Sequence, residues 1–326
     1  MSEDRIEVLM LGPMMPLVGE EIEKSFTLHR LWQAPDREAM ISELSSRLRA
    51  MAAMGHAHPF VDGAFMSRFP KLEIIASFGV GYDHVDAAWA GRHGIVVTNT
   101  PDVLTEEVAD TALGLLIATV RQLPQAERYL RAGRWLEKNF PLSPATLRDR
   151  TVGIIGLGRI GKAIARRLDA FGVPVIYHGR SPQPGVAYRY YPNLLEMAAA
   201  ADVVMIVTPG GPETRNLINA EVLDALGPTG IVINMSRGSV IDDPALIAAL
   251  KTGRILAAGL DVYVDEPRVP EELMTMDNVV LLPHVGSASV YTRNAMGRLV
   301  VDNLVAWAAG QGPLTPVPET PWRPRP

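Results

Sequence analysis

Short apolar runs alternate with amphipathic stretches through the first hundred residues. Four runs predict buried strands that close near glycine, proline or asparagine: Glu7–Leu11, Leu48–Met54, Leu72–Ser77 and Ile95–Thr98. Two stretches between them have the helical period, Asp36–Arg47 and Asp86–His93. Strands that alternate with helices indicate an α/β fold with a parallel sheet covered on both faces.

A second block with the same alternation begins after residue 150. Its predicted strands are Thr151–Ile155, Val173–Tyr177, Asp202–Val207, Gly230–Asn234, Ile255–Asp261 and Asn278–Leu282. Its predicted helices are Ile160–Ala170, Leu194–Ala200, Ala220–Leu226, Pro244–Lys251 and Glu271–Met276. Six strands with helical crossovers match a doubly wound dinucleotide-binding fold.

The segments that flank the second block have patterns of their own. The pattern over Thr105–Arg131 predicts one long helix with a kink at Pro124. Gly133–Pro144 is rich in aromatic residues and proline, which indicates a loop or arm. A last helix is predicted over Tyr291–Ala309, and the proline-rich segment Gly312–Pro326 is predicted to be irregular.

Composition narrows the class of protein. A chain of 326 residues, 48% of them hydrophobic, has the length and apolar content for about two folded domains. The net charge of −5 disfavours a nucleic-acid partner. The chain has no cysteine, which excludes disulfides and thiolate metal ligands, and no metal is expected. Because there is no secretory signal and no uninterrupted apolar stretch of about 18 residues, we expect a cytoplasmic protein without a membrane partner.

One glycine motif indicates a dinucleotide. Gly156, Gly158 and Gly161 form a G-x-G-x-x-G pattern that directly follows a predicted buried strand and opens a predicted helix. In this context the first glycine permits a tight turn, the second lets a pyrophosphate approach the backbone, and the third lets helix and strand pack closely. The alternative is a glycine-rich turn without a ligand.

The end of the next predicted strand indicates which dinucleotide is bound. Enzymes that use NAD commonly have an acidic residue there, which binds the ribose 2′-hydroxyl. This chain has Gly179, Arg180 and Ser181 instead. A guanidinium and a hydroxyl suit a 2′-phosphate, so the sequence predicts NADPH over NADH. The alternative is that Arg180 is a solvated loop charge.

Three segments later in the chain carry an arginine, a carboxylate and an imidazole. They are Asn234–Gly238, Asp261–Pro267 and Pro283–Ser289, and each lies at or just beyond the carboxyl end of a predicted strand. Ligands bind at that edge of open α/β sheets. The three segments are therefore expected to meet at one site.

These motifs resemble the D-isomer-specific 2-hydroxyacid dehydrogenases. The matching blocks are Gly156–Gly161, Ile233–Gly238, Gly259–Pro267 and Pro283–Ser287. Within that family the chain looks most similar to NADPH-dependent glyoxylate/hydroxypyruvate reductases, on the stretches Tyr177–Ser181 and Asn278–Ser287. The resemblance covers nearly the whole chain from Leu72 onward.

The resemblance implies a role for each group in the three segments. Arg237 would bind the substrate carboxylate, His284 would be the acid/base, and Glu266 would hydrogen-bond His284. A guanidinium fork matches a carboxylate in two places. A neighbouring carboxylate favours protonated histidine, and a proton donor is needed where hydride transfer leaves charge on oxygen.

Further contacts are expected around these groups. The resemblance implies cofactor contacts from Arg159, Ile160, Thr208, Pro209, Thr214, Met235, Ser236, Asp261, Gly286 and Ser287. It also implies that backbone N–H groups of Val80 and Gly81 bind the substrate carboxylate, whereas a purely structural turn is the alternative. Met54 and Gly55 end another strand and are expected to flank the substrate, with a substituent pocket built from loops such as Met54–His58. His84 is interpreted as structural.

The family's domain arrangement is also implied. Residues 1–100 with 290–326 would form a flavodoxin-like substrate domain, and residues 101–289 a Rossmann-like cofactor domain, with the active-site cleft between them and hinges near Pro101 and Ser289. A homodimer is expected through the cofactor domain, using the long helix and the arm that follows it. The arm residues Trp135, Phe140 and Leu142 would then reach the active site of the neighbouring subunit, and the alternative is that the arm folds back on its own subunit.

The activity predicted from all of this is reduction of a small 2-keto acid, glyoxylate or hydroxypyruvate, to the D-2-hydroxy acid. One alternative is a reductase of bulkier keto acids such as phenylpyruvate. Another is a dinucleotide-sensing, corepressor-like binding protein of the same fold, because fold alone does not separate enzyme from sensor.

Overall fold

The computed structural model of the chain describes residues 5–55 and 60–323. These residues fold into two compact units. The first unit is made by the residues up to Leu104 and those from Ser289 onward, and the second is Thr105–Ala288.

The first unit is built on a parallel sheet. Its strands are Glu7–Met10 (β1), Thr27–Arg30 (β2), Ala50–Met54 (β3), Ile74–Phe78 (β4) and Val96–Thr98 (β5). They lie in the order β2-β1-β3-β4-β5, and every pairing is parallel. Strand β4 is buried along its whole length, because an interior strand of a parallel sheet is covered on both faces.

Most helices of the first unit begin at a side chain that accepts a hydrogen bond from one of their first N–H groups, and α1 is the exception. They are Pro16–Ser25 (α1), Arg37–Leu44 (α2), Gly63–Met66 (α3), Ala87–Arg92 (α4) and, near the end of the chain, Val290–Ala308 (α12). Asp36 and Asp86 cap α2 and α4 by accepting a backbone hydrogen bond three residues on. A Cβ at Gly297 of α12 would lie 2.6 Å from Val18 of α1, so glycine permits the close packing of these helices.

The second unit is built on another parallel sheet. Its strands are Val152–Ile155 (β6), Val175–His178 (β7), Arg189–Tyr191 (β8), Val203–Ile206 (β9), Ile231–Asn234 (β10), Ala257–Leu260 (β11) and Val279–Leu281 (β12). Their order is β12-β11-β10-β9-β6-β7-β8. The order reverses at β6, and the crevice outside the carboxyl ends of strands at such a switch point is where doubly wound sheets bind ligands.

Helices cover the sheet of the second unit. They are Thr105–Arg121 (α5), Leu123–Arg131 (α6), Arg159–Ala170 (α7), Leu194–Ala199 (α8), Ala220–Leu226 (α9), Asp243–Lys251 (α10) and Glu271–Thr275 (α11). Short 3₁₀ turns at Arg134–Leu136, Pro212–Thr214 and Gly238–Val240 join other elements in the unit. The predicted α/β class with parallel sheets is confirmed.

One predicted helix is wrong in its continuity. The sequence predicted a single kinked helix over Thr105–Arg131, but the structure has two helices, with Gln122 between them at φ 52°. Pro124 lies in the first turn of the second helix, where its missing N–H costs little. Proline therefore starts a new helix here rather than bending an old one.

Several elements had no sequence prediction. Strands β2 and β8 and helices α1 and α3 are found only in the structure. No helix among the described residues is both long enough and apolar enough to span a bilayer.

Candidate active site

The groups predicted to carry the chemistry lie beyond the carboxyl ends of adjacent strands of the second unit. Arg237 follows β10, Glu266 follows β11, and His284 follows β12. These three strands are neighbours in the parallel sheet, so their carboxyl ends share one edge. Sheet topology thus collects residues that are up to 47 positions apart along the chain.

His284 and Glu266 are in direct contact. The distance from His284 Nδ1 to Glu266 Oε2 is 2.7 Å, and the two side chains are 30% and 16% exposed. The other oxygen of Glu266 accepts a hydrogen bond from the Tyr263 N–H at 2.9 Å. The carboxylate is therefore fixed by the backbone on one side and orients the imidazole on the other.

Asp261 anchors the loop that carries His284. Its carboxylate accepts hydrogen bonds from the N–H groups of Val285 at 2.7 Å and Gly286 at 2.8 Å, and its carbonyl accepts from His284 N–H at 2.8 Å. Burial raises the pKa of the Asp261 carboxyl, and the two backbone N–H groups act in the opposite direction. This structural work was not anticipated from the sequence, and the expected contact with a nicotinamide carboxamide stays a prediction.

Arg237 lies in a tight turn after β10. Asn234 holds the turn, because its side chain donates to Arg237 O at 3.0 Å and accepts from Ser236 N–H at 3.0 Å. A Cβ at Gly210 would lie 2.7 Å from Arg237 Cγ, and a Cβ at Gly238 would lie 1.9 Å from the backbone of Tyr263. Glycine is needed at both positions, because the Arg237 side chain and the Tyr263 backbone occupy the space that a Cβ would take.

The glycine motif has the shape of a dinucleotide cradle. Gly156 has φ 95° and lies so close to Thr208 that a Cβ would meet its backbone at 2.9 Å. A Cβ at Gly161 would lie 2.3 Å from Gly156 O, which explains the close contact of α7 with the turn. Gly158 has no atom within 4 Å of its Cβ position. Gly158 is therefore the glycine with open space beside it, where a pyrophosphate can approach the helix N-terminus.

The loop after β7 carries Arg180 and Ser181, and both are exposed. Tyr190 donates to Gly179 O at 3.0 Å, and the hydroxyl of Tyr177 accepts from Gln183 N–H at 2.8 Å. Two tyrosines thus hold the ends of the loop. Neither tyrosine was predicted from the sequence, because their partners are backbone groups, which leave no pattern in it.

The other predicted cofactor contacts lie along the same edge. Thr214 donates to Pro209 O at 2.8 Å, which closes the loop after β9. A Cβ at Gly286 would lie 3.1 Å from Met235 Cε, so these two residues adjoin. Thr111 of α5, which the sequence did not single out, donates to Gly286 O at 3.1 Å. Arg159 and Ile160 begin α7, and Ser236 and Ser287 are buried.

Four of the residues predicted to contact the substrate belong to the first unit. Val80 and Gly81 follow β4, and Met54 and Gly55 lie at the end of β3. Residues 56–58 of the expected substituent loop, Met54–His58, lie outside the described residues. His84 is buried with Nε2 3.2 Å from the Ser77 hydroxyl. That contact is consistent with its interpretation as structural.

Comparison with known proteins agrees with this geometry. The profile of the D-isomer specific 2-hydroxyacid dehydrogenase NAD binding domain matches residues 113–286. Glyoxylate/hydroxypyruvate reductase A of Arabidopsis thaliana is 46% identical over 314 residues, which cover 96% of this chain and 99% of that protein. Hydroxyphenylpyruvate reductase of Plectranthus scutellarioides is 45% identical over the same shares of both chains.

A solved structure is similar over almost the full length. The NADPH-dependent glyoxylate/hydroxypyruvate reductase of Sinorhizobium meliloti, crystallised with NADP and malonate, is 51% identical with a TM-score of 0.92, and the match covers 99% of each chain. The resemblance stated from the sequence motifs is confirmed. The chain therefore belongs to the D-isomer-specific 2-hydroxyacid dehydrogenase family of NAD(P)-dependent oxidoreductases.

Proposed function

We propose that this protein reduces a small 2-keto acid, glyoxylate or hydroxypyruvate, to the D-2-hydroxy acid with NADPH. The observation that carries the proposal is the 2.7 Å contact between His284 and Glu266, in the same unit as the open glycine cradle. An oriented imidazole is a proton donor, and the cradle fits a dinucleotide. The names of the Arabidopsis and Sinorhizobium relatives support the same substrate class.

The residues that hold the cofactor follow from the cradle. Gly156, Gly158 and Gly161, at the start of α7, would hold the pyrophosphate, and Met235 and Gly286, which adjoin each other, would hold the nicotinamide end. When bound, the reduced nicotinamide supplies a hydride to the keto carbon. The chain's own residues supply the proton and hold the carboxylate.

His284 delivers the proton to the keto oxygen. Because Nδ1 is hydrogen-bonded to Glu266, Nε2 is the ring nitrogen that donates the proton to the keto oxygen. The Glu266 carboxylate fixes the plane of the ring, so the proton donor is already in position when negative charge develops on the keto oxygen. In the direction of reduction, His284 therefore begins protonated and ends neutral.

Arg237 binds the substrate carboxylate and polarises the keto oxygen. Its planar fork can meet two carboxylate oxygens at once, which an ammonium group cannot do. In the first unit, we propose that the N–H groups of Val80 and Gly81 donate to the substrate carboxylate, and that Met54 and Gly55 flank the substituent. The loop backbone is tightly folded here, since a Cβ at Gly79 would lie 3.2 Å from Gly81 O. Successive N–H groups of such a loop can bind an anion.

NADPH is proposed over NADH because of the loop after β7. No carboxylate stands at Gly179–Ser181 to bind a ribose diol, and the exposed Arg180 offers a charge to a 2′-phosphate. The NADP complex of the Sinorhizobium relative supports this choice. If Arg180 is only a solvated charge, the preference will be small.

A bulkier keto acid is the second candidate substrate. The Plectranthus relative is named for hydroxyphenylpyruvate and is nearly as similar as the Arabidopsis one. The groups that bind the 2-keto acid core do not distinguish the two substrates, because only the substituent differs. The distinction therefore rests on the pocket for the substituent.

We also propose a homodimer built through the second unit. Trp135, Leu136 and Leu142 of the arm are 63%, 95% and 95% exposed, which is unfavourable for apolar side chains in water. Phe140 instead packs edge-on against Tyr129, at 5.3 Å between ring centroids. Most apolar residues of α5 are already buried by the chain itself, with Ile117 and Ala118 half-buried, so the exposed arm is the main support for the dimer.

A substrate panel tests the proposed activity. Glyoxylate, hydroxypyruvate, pyruvate and phenylpyruvate are each offered with NADPH and with NADH, and kcat/KM is compared across all eight pairs. The proposal expects the highest values for glyoxylate and hydroxypyruvate with NADPH. Faster turnover of phenylpyruvate favours the bulkier substrate, and binding of NADPH without turnover of any keto acid favours a dinucleotide sensor.

A further inference from the structure

The loop Gly79–Gly81, between β4 and α4, is fixed by hydrogen bonds from a distant part of the first unit. Gly79 N–H donates to Thr100 Oγ1 at 3.0 Å, and Gly79 O accepts from Thr100 N–H at 2.8 Å. Val80 O accepts from Asn99 Nδ2 at 2.8 Å. Among the described residues, none accepts a hydrogen bond from the N–H of Val80 or of Gly81.

These bonds set the direction of the two remaining N–H groups. A peptide unit is planar and trans, so the direction of each carbonyl fixes the opposite direction of the next N–H. Thr100 fixes the carbonyl of Gly79 and thereby the N–H of Val80. Asn99 fixes the carbonyl of Val80 and thereby the N–H of Gly81. The directions of both N–H groups are therefore fixed in the protein without a ligand.

Asn99 is itself held by Thr315, in the segment after α12. Thr315 Oγ1 donates to Asn99 O at 2.6 Å, and Asn99 N–H donates to Thr315 O at 3.3 Å. Thr315 in turn is held by Asn303 of α12, whose side chain donates to Thr315 Oγ1 at 3.0 Å and accepts from Thr315 N–H at 2.9 Å. Asn303 is completely buried, so these bonds are protected from water.

A second attachment joins the same segment to the other side of the loop. The hydroxyl of Tyr82, next to Gly81, donates to the carboxylate of Glu319 at 3.0 Å and 3.2 Å. Burial and the neighbouring Glu319 carboxylate raise the pKa of Tyr82 to about 12, so the hydroxyl remains a donor at neutral pH. Thr315 and Glu319 thus hold the loop on both sides.

We propose that Asn99, Thr315 and Asn303 are positioning residues that aim the N–H groups of Val80 and Gly81 at the carboxylate of the 2-keto acid. The role of Val80 and Gly81 in substrate binding belongs to the proposed function, on which this inference rests. The side chains named act through the loop backbone and do not touch the substrate. Their loss therefore weakens substrate binding and leaves dinucleotide binding unchanged.

The test compares two substitutions of Thr315 with a matched one of Thr320. Thr315→Val removes the hydroxyl that holds Asn99, and Thr315→Ser retains it. Thr320 belongs to the same segment, but its hydroxyl bonds the backbone of Val97 in β5, accepting at 2.8 Å and donating at 3.1 Å. Thr320→Val therefore loosens the segment without touching the hydrogen bonds to Asn99.

Kinetics give the first readout, at a temperature well below the melting point of each variant. Thr315→Val is expected to raise KM for glyoxylate about fivefold to tenfold, the effect of one lost hydrogen bond, with kcat and NADPH affinity within about twofold. Thr315→Ser and Thr320→Val are expected to keep the wild-type KM. Equal increases of KM in Thr315→Val and Thr320→Val, or an unchanged KM in Thr315→Val, would overturn the proposal.

Amide hydrogen exchange gives a readout that does not depend on activity. Peptides that span residues 78–82 are expected to exchange faster in Thr315→Val than in wild type, Thr315→Ser or Thr320→Val. Asn99→Ala, which removes the side-chain donor to Val80 O and retains the backbone bonds to Thr315, provides a second variant with the same expectation should Thr315→Val fold poorly. Unchanged exchange in the loop overturns the positioning role, whereas a wild-type protein without keto acid turnover overturns the proposed function.

Discussion

His284 has a backbone conformation that a non-glycine residue seldom adopts. Its φ is 53°, and it is held there by its own N–H bond to Asp261 O and by the bonds from the next two residues to the Asp261 carboxylate. Conformations of this kind persist where the surroundings over-determine them, and they cluster at functional sites. The imidazole is thus positioned by the backbone as well as by Glu266.

The contact between Glu266 and His284 makes a prediction about the proton donor. Glu266→Gln replaces the carboxylate at His284 Nδ1 with a neutral amide, so the charge-assisted hydrogen bond that orients the imidazole is lost. The kcat for reduction is therefore expected to fall about tenfold or more, with NADPH affinity within about twofold. Asp265→Asn is the matched control, because Asp265 is the adjacent acid and is paired with Arg268 at 2.7 Å instead. An unchanged kcat in Glu266→Gln removes this carboxylate from the mechanism.

Arg180 makes a prediction about cofactor choice. Arg180→Gln removes the charge offered to the 2′-phosphate, so KM for NADPH is expected to rise about tenfold or more, the effect of losing a charge-assisted hydrogen bond. KM for NADH is expected to stay within about twofold, because NADH has no 2′-phosphate to lose. Arg254→Gln, whose partner is Asp224 at 2.8 Å, is the control for loss of a surface charge. A wild-type preference for NADH contradicts this assignment.

At the scale of elements, the strands and helices that could be predicted are those whose own residues have a recognisable apolar pattern. The strands that end at the site, such as β10 and β11, are continuous apolar runs because both faces of the sheet are covered. Strand β2 reads Thr-Leu-His-Arg and has no such pattern. It is a strand because its backbone pairs with β1 at the edge of the sheet, and that pairing is tertiary.

The candidate site likewise has a part that could be predicted from the sequence and a part that only the structure shows. Arg237, Glu266 and His284 were predictable because each follows a recognisable strand within a few residues of a motif. The hydrogen bonds of Asp261 to the His284 loop join residues 24 and 25 positions apart, and the contact of Thr315 with Asn99 spans 216. Contacts of that separation leave no periodicity in the sequence, so only the structure shows them.

The glycine motif makes a prediction about the turn between β6 and α7. Gly161→Ala would place a Cβ 2.3 Å from Gly156 O, so the turn must shift and the melting temperature is expected to fall. Gly158→Ala has open space around its Cβ, so the melting temperature is expected to stay the same, while NADPH affinity falls because the methyl group occupies the approach of the pyrophosphate. Calorimetry and NADPH titration of both variants test this. Equal NADPH affinity of wild type and Gly158→Ala would place the pyrophosphate elsewhere.

At the scale of the whole molecule, the exposed arm predicts assembly. A two-fold dimer would bury the same apolar patch on both subunits. Light scattering at micromolar concentration is expected to give twice the chain mass of 35.4 kDa. Trp135→Ala is expected to weaken the dimer, whereas Phe171→Ala, which removes another exposed aromatic outside the arm, is not. A mass of one chain at that concentration rules out the dimer, and equal effects of the two substitutions rule out the arm as its basis.

The central claim is that this chain reduces a small 2-keto acid with His284 as proton donor. Its most direct test is NADPH oxidation with glyoxylate or hydroxypyruvate, measured for wild type, His284→Ala and the surface control His93→Ala. We predict turnover in wild type and His93→Ala, a kcat about 10²–10⁴-fold lower in His284→Ala, the range for loss of a general acid, and NADPH affinity within about twofold throughout. Wild-type kcat in His284→Ala, or no turnover of either keto acid by wild type, would contradict the claim.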